Sequence, residues 1–326
     1  MGPNPLPLHF TTLDLELFHF YLTKTSDDLL YEITGTRIWQ TSVITLALKH
    51  PFLLQEILSL SGFHLAFVHE SDPMLCQKYR KAAISYHGKS IAQFRDEIQN
   101  ISRANSDACS ICAALLPLQT LTTRDHGGQN MFFSTEEAGA RGSGVSVAWY
   151  KLQRGAGEVL RSNFQWAREG PLGEMIEHWE SMKLRSPLLP LEPEEEQNLD
   201  ALVDGWSLSD MLNEDKAVLE ETLQTLRLVF SMVSTANRQM NMKIGKFRAI
   251  IAWAMLMPHR FCEMVEKRFP QALVLIAIYC ILLKRLDEFW WMRGKAEGLF
   301  EAVQKELPDR SWDKWLEWPA EQVYRK

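Results

Sequence analysis

The longest apolar stretch of the sequence runs from Ala272 to Leu283 and contains twelve consecutive apolar residues. Apolar side chains would surround a helix at this position on every side, which predicts that neighbouring elements enclose it. Pro270 favours a helix start and Gly294 a helix end, so we predict a helix over residues 271–293. The stretch is shorter than the roughly 20 residues of a membrane-spanning helix, and we interpret it as a buried central helix.

Helical spacing of apolar residues continues through most of the chain. Leu13, Leu17 and Tyr21 recur at intervals typical of a helix, and Thr11 or Thr12 offers its N-cap. Further helices are predicted at about 35–48, 51–70, 73–101, 107–121, 147–160, 209–235, 244–257, 259–267 and 294–306, followed by a tryptophan-rich tail at 311–324. Since no convincing strand interrupts them, the predicted fold class is all-α: a multi-helix globular bundle with a buried central helix and an internal hydrophobic pocket.

Two stretches interrupt the helical pattern. Residues 122–146 are rich in Gly, Thr, Asp and Arg and predict a mobile loop. Residues 186–200 contain the acidic run EPEEE at 192–196, which is typical of a solvated linker or a helix start. We interpret the chain, residues 1–326, as a single all-helical domain with these two interruptions.

Composition and charge narrow the class of protein. A hydrophobic content of 46% over 326 residues is enough for a large core. The net charge of -6 argues against direct nucleic-acid binding by this chain, because phosphate contacts require a basic face. Neither a secretory leader nor an apolar run of membrane length is evident, so we expect an intracellular protein, nuclear or cytoplasmic, without a membrane span.

The cysteines and acidic residues offer little metal or redox chemistry. The five cysteines are scattered, and the one close pair, Cys109 and Cys112, is typical of the apolar face of a helix. Asp27, Asp28 and Glu32 could hold Mg²⁺ against a diphosphate, but no second metal motif follows, and a solvated turn is favoured. We therefore predict no metal site and no cofactor.

The candidate binding residues are aromatic or lie beside apolar positions. Eleven tryptophans are present, and Trp253, Trp290 and Trp291 favour either a pocket for a flat apolar ligand or core packing. His64 could donate to a ligand hydroxyl, act as an acid or base, or be a satisfied core histidine. The predicted ligand-binding residues are Phe63, His64, Trp253, Met257, Tyr279, Trp290 and Trp291.

Five separated stretches, in order along the chain, resemble the C-terminal regulatory domain of fungal zinc-cluster transcription factors, most closely the sterol-uptake-control type. They are LDLELFHFYLTKTS (13–26), WQTSVITLALKHPFLLQEILSLSGFHLA (39–66), WYKLQRGAGEVL (149–160), WAREGPLG (166–173) and RFPQALVLIAIYCILLKRLDEFWWMRGKAEGL (268–299). The resemblance implies an all-helical domain that binds a hydrophobic small molecule, a sterol in the best-known members, and that self-associates as a homodimer.

One feature of that family is missing from this sequence. Its members carry a six-cysteine zinc cluster that reads DNA, and the five cysteines here match neither its number nor its spacing. The chain is therefore expected to be a regulatory domain separated from that cluster or a stand-alone relative.

Three functional hypotheses follow from the residues and the resemblance, and the third of them is a purely helical interaction protein. The first is a regulatory domain of a fungal transcription-factor-like protein that binds a sterol-like or terpenoid-like molecule. The alternative is a stand-alone cyclase or isomerase of fungal secondary metabolism that uses the same pocket, with His64, Asp14 and Glu16 as its polar groups. Motifs of the serine-hydrolase, zinc-protease and dinucleotide-binding classes are absent from the sequence.

Overall fold

The computed structural model describes residues 10–30, 38–122, 148–173, 176, 190–207, 211–238 and 243–325. All regular elements in these ranges are helical, and no strand occurs in them, so the predicted all-α class is confirmed. The predicted loop at 122–146 lies outside the described residues, except for Thr122 at the end of a helix. The chain divides into two compact units, one of residues 1–123 and 152–185 and the other of residues 124–151 and 186–326. The number of domains stays a prediction.

The first unit is built from helices of very different length. They are α1 (Thr12–Phe20), a π-helical turn (Tyr21–Thr25), α2 (Ser26–Leu30), α3 (Ser42–Ala47), α4 (Pro51–Val68), α5 (Pro73–Gln99), α6 (Ser106–Thr122), α7 (Ala148–Ser162, of which residues from 152 on belong to this unit) and α8 (Phe164–Glu169). Thr11 caps α1 as predicted, because its hydroxyl accepts from the Asp14 N–H while the Asp14 carboxylate accepts from the Thr11 N–H.

Helix α4 is the core of the first unit. It packs along α5 and also contacts α1, α3 and α6. Within the described residues α4 is the one helix long and apolar enough to cross a membrane, but 78% of it is buried inside the protein, as in the core helix of a globular unit. Gly62 permits the close packing on α5, because a Cβ at this position would lie 3.0 Å from the Ala83 Cβ and 3.2 Å from the Tyr79 carbonyl oxygen.

The helices of the second unit surround the predicted central helix. They are α9 (Pro193–Ser207), α10 (Asn213–Arg238), α11 (Lys243–Leu256), α12 (His259–Glu266), α13 (Pro270–Lys284), α14 (Lys295–Glu306), a 3₁₀ turn (Arg310–Trp312) and α15 (Asp313–Val323). All side chains of α13 from Ala272 to Leu283 are buried, and α13 contacts α10, α12, α14 and α15. The prediction of a central helix enclosed by its neighbours is confirmed.

The predicted end of this central helix was wrong. Helix α13 ends at Lys284 rather than at residue 293, and the chain continues through consecutive turns until Gly294, which adopts the left-handed φ of 77° before α14. In these turns, backbone N–H groups bond three residues back, from Leu286 to Leu283 and from Met292 to Phe289, each at 2.9 Å. The Lys284 ammonium bonds the carboxylates of Asp287 and Glu297, and these contacts hold the chain reversal in place.

Other helix boundaries also differ from the pattern. The second predicted helix, 35–48, is helical only over Ser42–Ala47 within the described residues. Helix α8 was not predicted, and the start of α9 was one of the two interpretations of the acidic run, the other being a solvated linker. The acidic run 192–196 begins α9, where Pro193 occupies the first turn and the Glu192 N–H donates to the Glu195 carboxylate at 3.3 Å.

Two glycines in α4 and α5 test the packing of the first unit. The substitution Gly62→Ala should destabilise the protein by roughly 1–3 kcal/mol, because the new methyl would press on backbone atoms of α5 that cannot move away. The control Gly88→Ala, on an exposed part of α5 with nothing within 4 Å of its Cβ position, should stabilise the protein by up to about 1 kcal/mol. Urea unfolding measures both changes. A shift of both midpoints in the same direction would contradict the close packing of α4 on α5.

Candidate functional site

Two predicted ligand residues form a stack inside the second unit. Trp253 of α11 and Tyr279 of α13 are fully buried, with ring centroids 4.4 Å apart. The Trp253 indole N–H donates to the Thr222 carbonyl at 3.4 Å, and the Tyr279 hydroxyl donates to the Ile250 carbonyl at 2.9 Å. Because their polar groups are bonded within the protein, this geometry favours a packing role for both side chains, and their part in ligand binding stays a prediction.

Four other aromatic residues meet at the turns after α13. Phe289, Trp290 and Trp291 come from the turns, and Phe247 comes from the first half of α11. Phe289 stacks on Trp291 with centroids 5.1 Å apart, while Trp290 and Phe247 meet Trp291 edge to face at 5.6 and 6.4 Å. We call these four residues the aromatic cluster. It combines one core ring with three half-buried ones, since Trp291 is 2% exposed and the others are intermediate.

Trp291 contributes a buried polar group to the aromatic cluster. The indole nitrogen of Trp291 is buried and has no hydrogen-bond acceptor among the described residues. A buried donor in this state costs roughly 1–3 kcal/mol relative to a paired one. Buried polar groups are rarely left in this state, and those that are call for an explanation. A ligand that carries an acceptor atom would supply the missing partner.

Ion pairs connect the turns that carry the aromatic cluster to neighbouring helices. Lys284 bonds Asp287 at 2.6 Å and also bonds Glu297 of α14. Burial alone would lower the pKa of Lys284, but the hydrogen bonds that its ammonium donates to these two carboxylates raise it overall, so the ammonium stays charged at neutral pH. The neighbouring pair Lys246 and Glu288 lies at 3.6 Å. Each of these two cations is paired with a carboxylate of the protein. Because the cations are already paired, the aromatic rings offer a contact surface that suits an uncharged molecule.

The remaining predicted ligand residues lie elsewhere in the two units. Met257 follows α11 in the second unit and is 3% exposed, and Phe63 lies on α4 of the first unit and is 6% exposed. His64, also on α4, is bonded within the first unit. The structure therefore brings Trp290 and Trp291 together and places Trp253 beside Tyr279, while Phe63 and His64 belong to the other unit.

His64 connects α4 to the π-helical turn. Its Nδ1 lies 3.0 Å from the Thr25 hydroxyl, and its Nε2 lies 3.4 Å from the Asp28 carboxylate. Burial lowers the pKa of His64 to about 4, so the ring is neutral at pH 7. The order carboxylate, imidazole and hydroxyl is that of a nucleophilic triad, but the Thr25 side chain is completely buried and a substrate cannot reach it. The arrangement favours a structural role for His64.

The other two polar residues of the enzyme hypothesis join α1 to α5. Asp14 accepts a hydrogen bond from the Tyr86 hydroxyl, and Glu16 accepts one from the Tyr79 hydroxyl and pairs with Lys78 at 3.3 Å. Burial raises the pKa of Asp14, but the bonds from Tyr86 and from Thr11 outweigh it and lower the pKa overall. Both carboxylates therefore act as ionised contacts between helices.

Several residues of these sites were not predicted from the sequence. Phe247 was missed because the helical pattern does not show which face of α11 meets the turns after α13. Thr25 was missed because it lies 39 residues before His64, and only the fold brings the two together. Asp28 had been weighed as a metal ligand. Among the described residues, no group of three or more His, Cys, Asp or Glu side chains is arranged to hold a metal ion.

The chain is similar to known fungal regulators. Residues 16–162 match the fungal specific transcription factor domain. A Zn(2)-C6 fungal-type transcription factor of Gibberella zeae is 25% identical over 324 residues, which cover 94% of this chain and 61% of that protein. Sterol uptake control protein 2 of Candida albicans is 27% identical over 110 residues, which cover 33% of this chain and 14% of that protein. The predicted resemblance is confirmed, and the chain spans less than two thirds of the length of either relative.

Burial of neutral His64 should make the protein sensitive to acid. The folded-state pKa of about 4 lies below the ordinary 6.5, so the stability that His64 contributes is present above pH 6.5 and is lost as the pH falls towards 4. The loss amounts to roughly 3 kcal/mol at most, from about 1.4 kcal/mol per pKa unit.

The variant His64→Asn removes this titration and keeps a polar side chain. We expect the free energy of unfolding to fall less between pH 7 and pH 4.5 in this variant than in the wild type, as measured by urea unfolding. Other titrating groups, such as Asp107 with its pKa raised by burial to about 6, are present in both proteins. The control His259→Asn, at an exposed position, should behave like the wild type. Equal acid sensitivity of His64→Asn and the wild type would show that His64 is not held neutral.

Proposed function

We propose, from the resemblance of this chain to the regulatory domain of fungal zinc-cluster transcription factors, that it is a ligand-binding regulatory domain. Its ligand is an apolar small molecule of sterol-like or terpenoid-like size, bound at the aromatic cluster of the second unit. The protein acts in the control of transcription, in the nucleus, and contact with DNA is made by a different domain because this chain has a net charge of -6.

The aromatic cluster is the observation that carries this proposal. Ligand sites are lined mostly by apolar and aromatic side chains with a few placed polar groups. The cluster has this composition: three half-buried rings offer apolar surface, and Trp291 adds one buried hydrogen-bond donor. The core stack of Trp253 and Tyr279 differs from it, because both of its polar groups are bonded within the protein.

The relatives support a regulatory role and the class of ligand. The matched domain covers residues 16–162, and the alignment with the Gibberella zeae transcription factor extends over 94% of this chain, so it reaches into the second unit. The Candida albicans relative is named for the control of sterol uptake. A sterol-like probe is therefore the first choice for binding experiments.

The proposed mechanism is a shift between two arrangements of the turns after α13. These turns are held by Lys284 and carry three of the four rings of the aromatic cluster. A ligand that binds those rings in one arrangement more tightly than in another shifts the population towards the first. The same shift changes the surface offered to a second copy of the chain, which couples ligand binding to the formation of a homodimer.

The enzyme hypothesis finds no comparable support among the described residues. Its candidate base His64 has Thr25 and Asp28 as partners, and Asp14 and Glu16 bond tyrosines of α5. All three side chains thus have structural contacts that explain their presence. We therefore do not propose a catalytic function.

The variant Trp290→Ala tests the proposed site. Because Trp290 is half-buried and lies on the aromatic cluster, its removal should weaken binding of the fluorescent sterol dehydroergosterol by about tenfold, equivalent to roughly 1.4 kcal/mol. Energy transfer from tryptophan to the sterol measures the affinity, and thermal unfolding measures stability. We expect the loss of binding energy to exceed the loss of folding energy.

The matched control is Trp166→Ala, which removes a 37% exposed tryptophan from the first unit. It should leave dehydroergosterol binding within about twofold of the wild type, because an exposed ring of the other unit is not part of the site. Equal losses of binding in the two variants, or absence of saturable binding to the wild type, would contradict the proposed site.

A further inference from the structure

Trp291 differs from the other rings of the aromatic cluster in its burial. It is 2% exposed, and the rings of Phe289, Trp290 and Phe247 lie around it at centroid distances of 5.1, 5.6 and 6.4 Å. Its indole nitrogen is buried with them and finds no acceptor within the part of the chain that the structure describes. The most enclosed ring of the cluster thus carries a buried donor without an acceptor among the described residues.

The chemistry of the indole restricts what can pair with it. An indole N–H donates a hydrogen bond and cannot accept one. The neighbouring rings offer only π faces, which are weaker acceptors than an oxygen atom. Because buried donors in native proteins are nearly always paired, the partner that fits is an acceptor atom inserted among these rings.

The charges around the cluster restrict the ligand further. Lys246 faces Glu288 at 3.6 Å, and Lys284 is engaged by Asp287 and Glu297. A charged ligand would therefore have to compete with ion pairs that the protein already forms. An uncharged ligand keeps these pairs intact and still satisfies the indole.

We infer that Trp291 is the polar anchor of the ligand site and that the ligand is an uncharged, flat, apolar molecule with an acceptor oxygen on its edge, in a hydroxyl, carbonyl or ether group. This inference rests on the proposed function and adds to it the polar group by which the ligand is recognised. The Trp291 N–H donates to the oxygen, and the half-buried rings of Phe289, Trp290 and Phe247 cover the apolar part.

Two probes that share one carbon skeleton test whether the Trp291 N–H donates a hydrogen bond to the ligand. The probes 9-fluorenone and fluorene share three fused rings and differ in a carbonyl group against a methylene group. Equilibrium dialysis gives the affinity of each probe for the wild type, for Trp291→Phe and for Trp318→Phe. The ratio of the two affinities within one protein is compared between proteins, so the different solubility of the probes cancels.

The wild type should bind both probes. Trp291→Phe should lower the preference for 9-fluorenone over fluorene by roughly three- to tenfold, the worth of one neutral hydrogen bond, while fluorene binding stays within about twofold. Trp318 is the matched control, because its indole nitrogen is also buried without an acceptor among the described residues but its ring stacks on Phe230 instead. Trp318→Phe should keep the wild-type preference.

The possible outcomes distinguish a failure of the Trp291 anchor from a failure of the proposed ligand site. If the preference is unchanged in Trp291→Phe while both probes still bind, Trp291 is not the anchor, and the proposed site is unaffected. If Trp291→Phe loses fluorene binding as well, Trp291 is a packing residue and the inference is overturned. If neither probe binds the wild type although dehydroergosterol does, the inference about the anchor is overturned and the proposed site stands. If dehydroergosterol does not bind either, the proposed function fails as well.

Discussion

The ammonium group of Lys284 stabilises the end of the central helix and the turns that carry the aromatic cluster. It joins Asp287 in the turns to Glu297 at the start of α14, so three parts of the chain converge on one charge. The next residue, Arg285, pairs with Glu195 of α9 at 2.6 Å. Two consecutive basic residues thus tie the end of α13 to two other helices. These directional contacts stabilise the end of the helix and the turns that carry the aromatic rings.

The first unit is held together by close packing of its helices around α4. Helix α4 is mostly buried, and two of its serines bond the backbone of neighbouring helices, from Ser59 to the Ala83 carbonyl at 2.8 Å and from Ser61 to the Leu17 carbonyl at 2.7 Å. These bonds and the absence of a side chain at Gly62 let the helices approach closely. The first unit therefore packs closely around a core helix, whereas the second unit presents half-buried rings in the turns after its central helix. This contrast is why we assign ligand binding to the second unit.

The sequence predicts the buried helices well, because a run such as 272–283 is apolar on every face whatever lies around it. It does not predict where α13 ends, since that depends on Lys284 meeting Glu297 after the chain has turned back. Contacts between residues that are distant in the sequence also limit prediction of the candidate site. The pairing of Trp253 with the Thr222 carbonyl joins residues 31 positions apart, and no local pattern separates this bonded indole from the unpaired indole of Trp291. Composition identifies aromatic candidates, and only the fold shows which of them keep a free donor.

We propose that the rings after α13 contact a ligand and that the buried stack of Trp253 on Tyr279 does not. Fluorine NMR of protein labelled with 5-fluorotryptophan tests it directly, with each resonance assigned by a single substitution to phenylalanine. On titration with dehydroergosterol, the account predicts saturable shifts of the Trp290 and Trp291 resonances and an unchanged resonance for Trp253, which is fully buried and bonded to the Thr222 carbonyl. Shifts confined to other tryptophans, or no saturable shift at all, would contradict it.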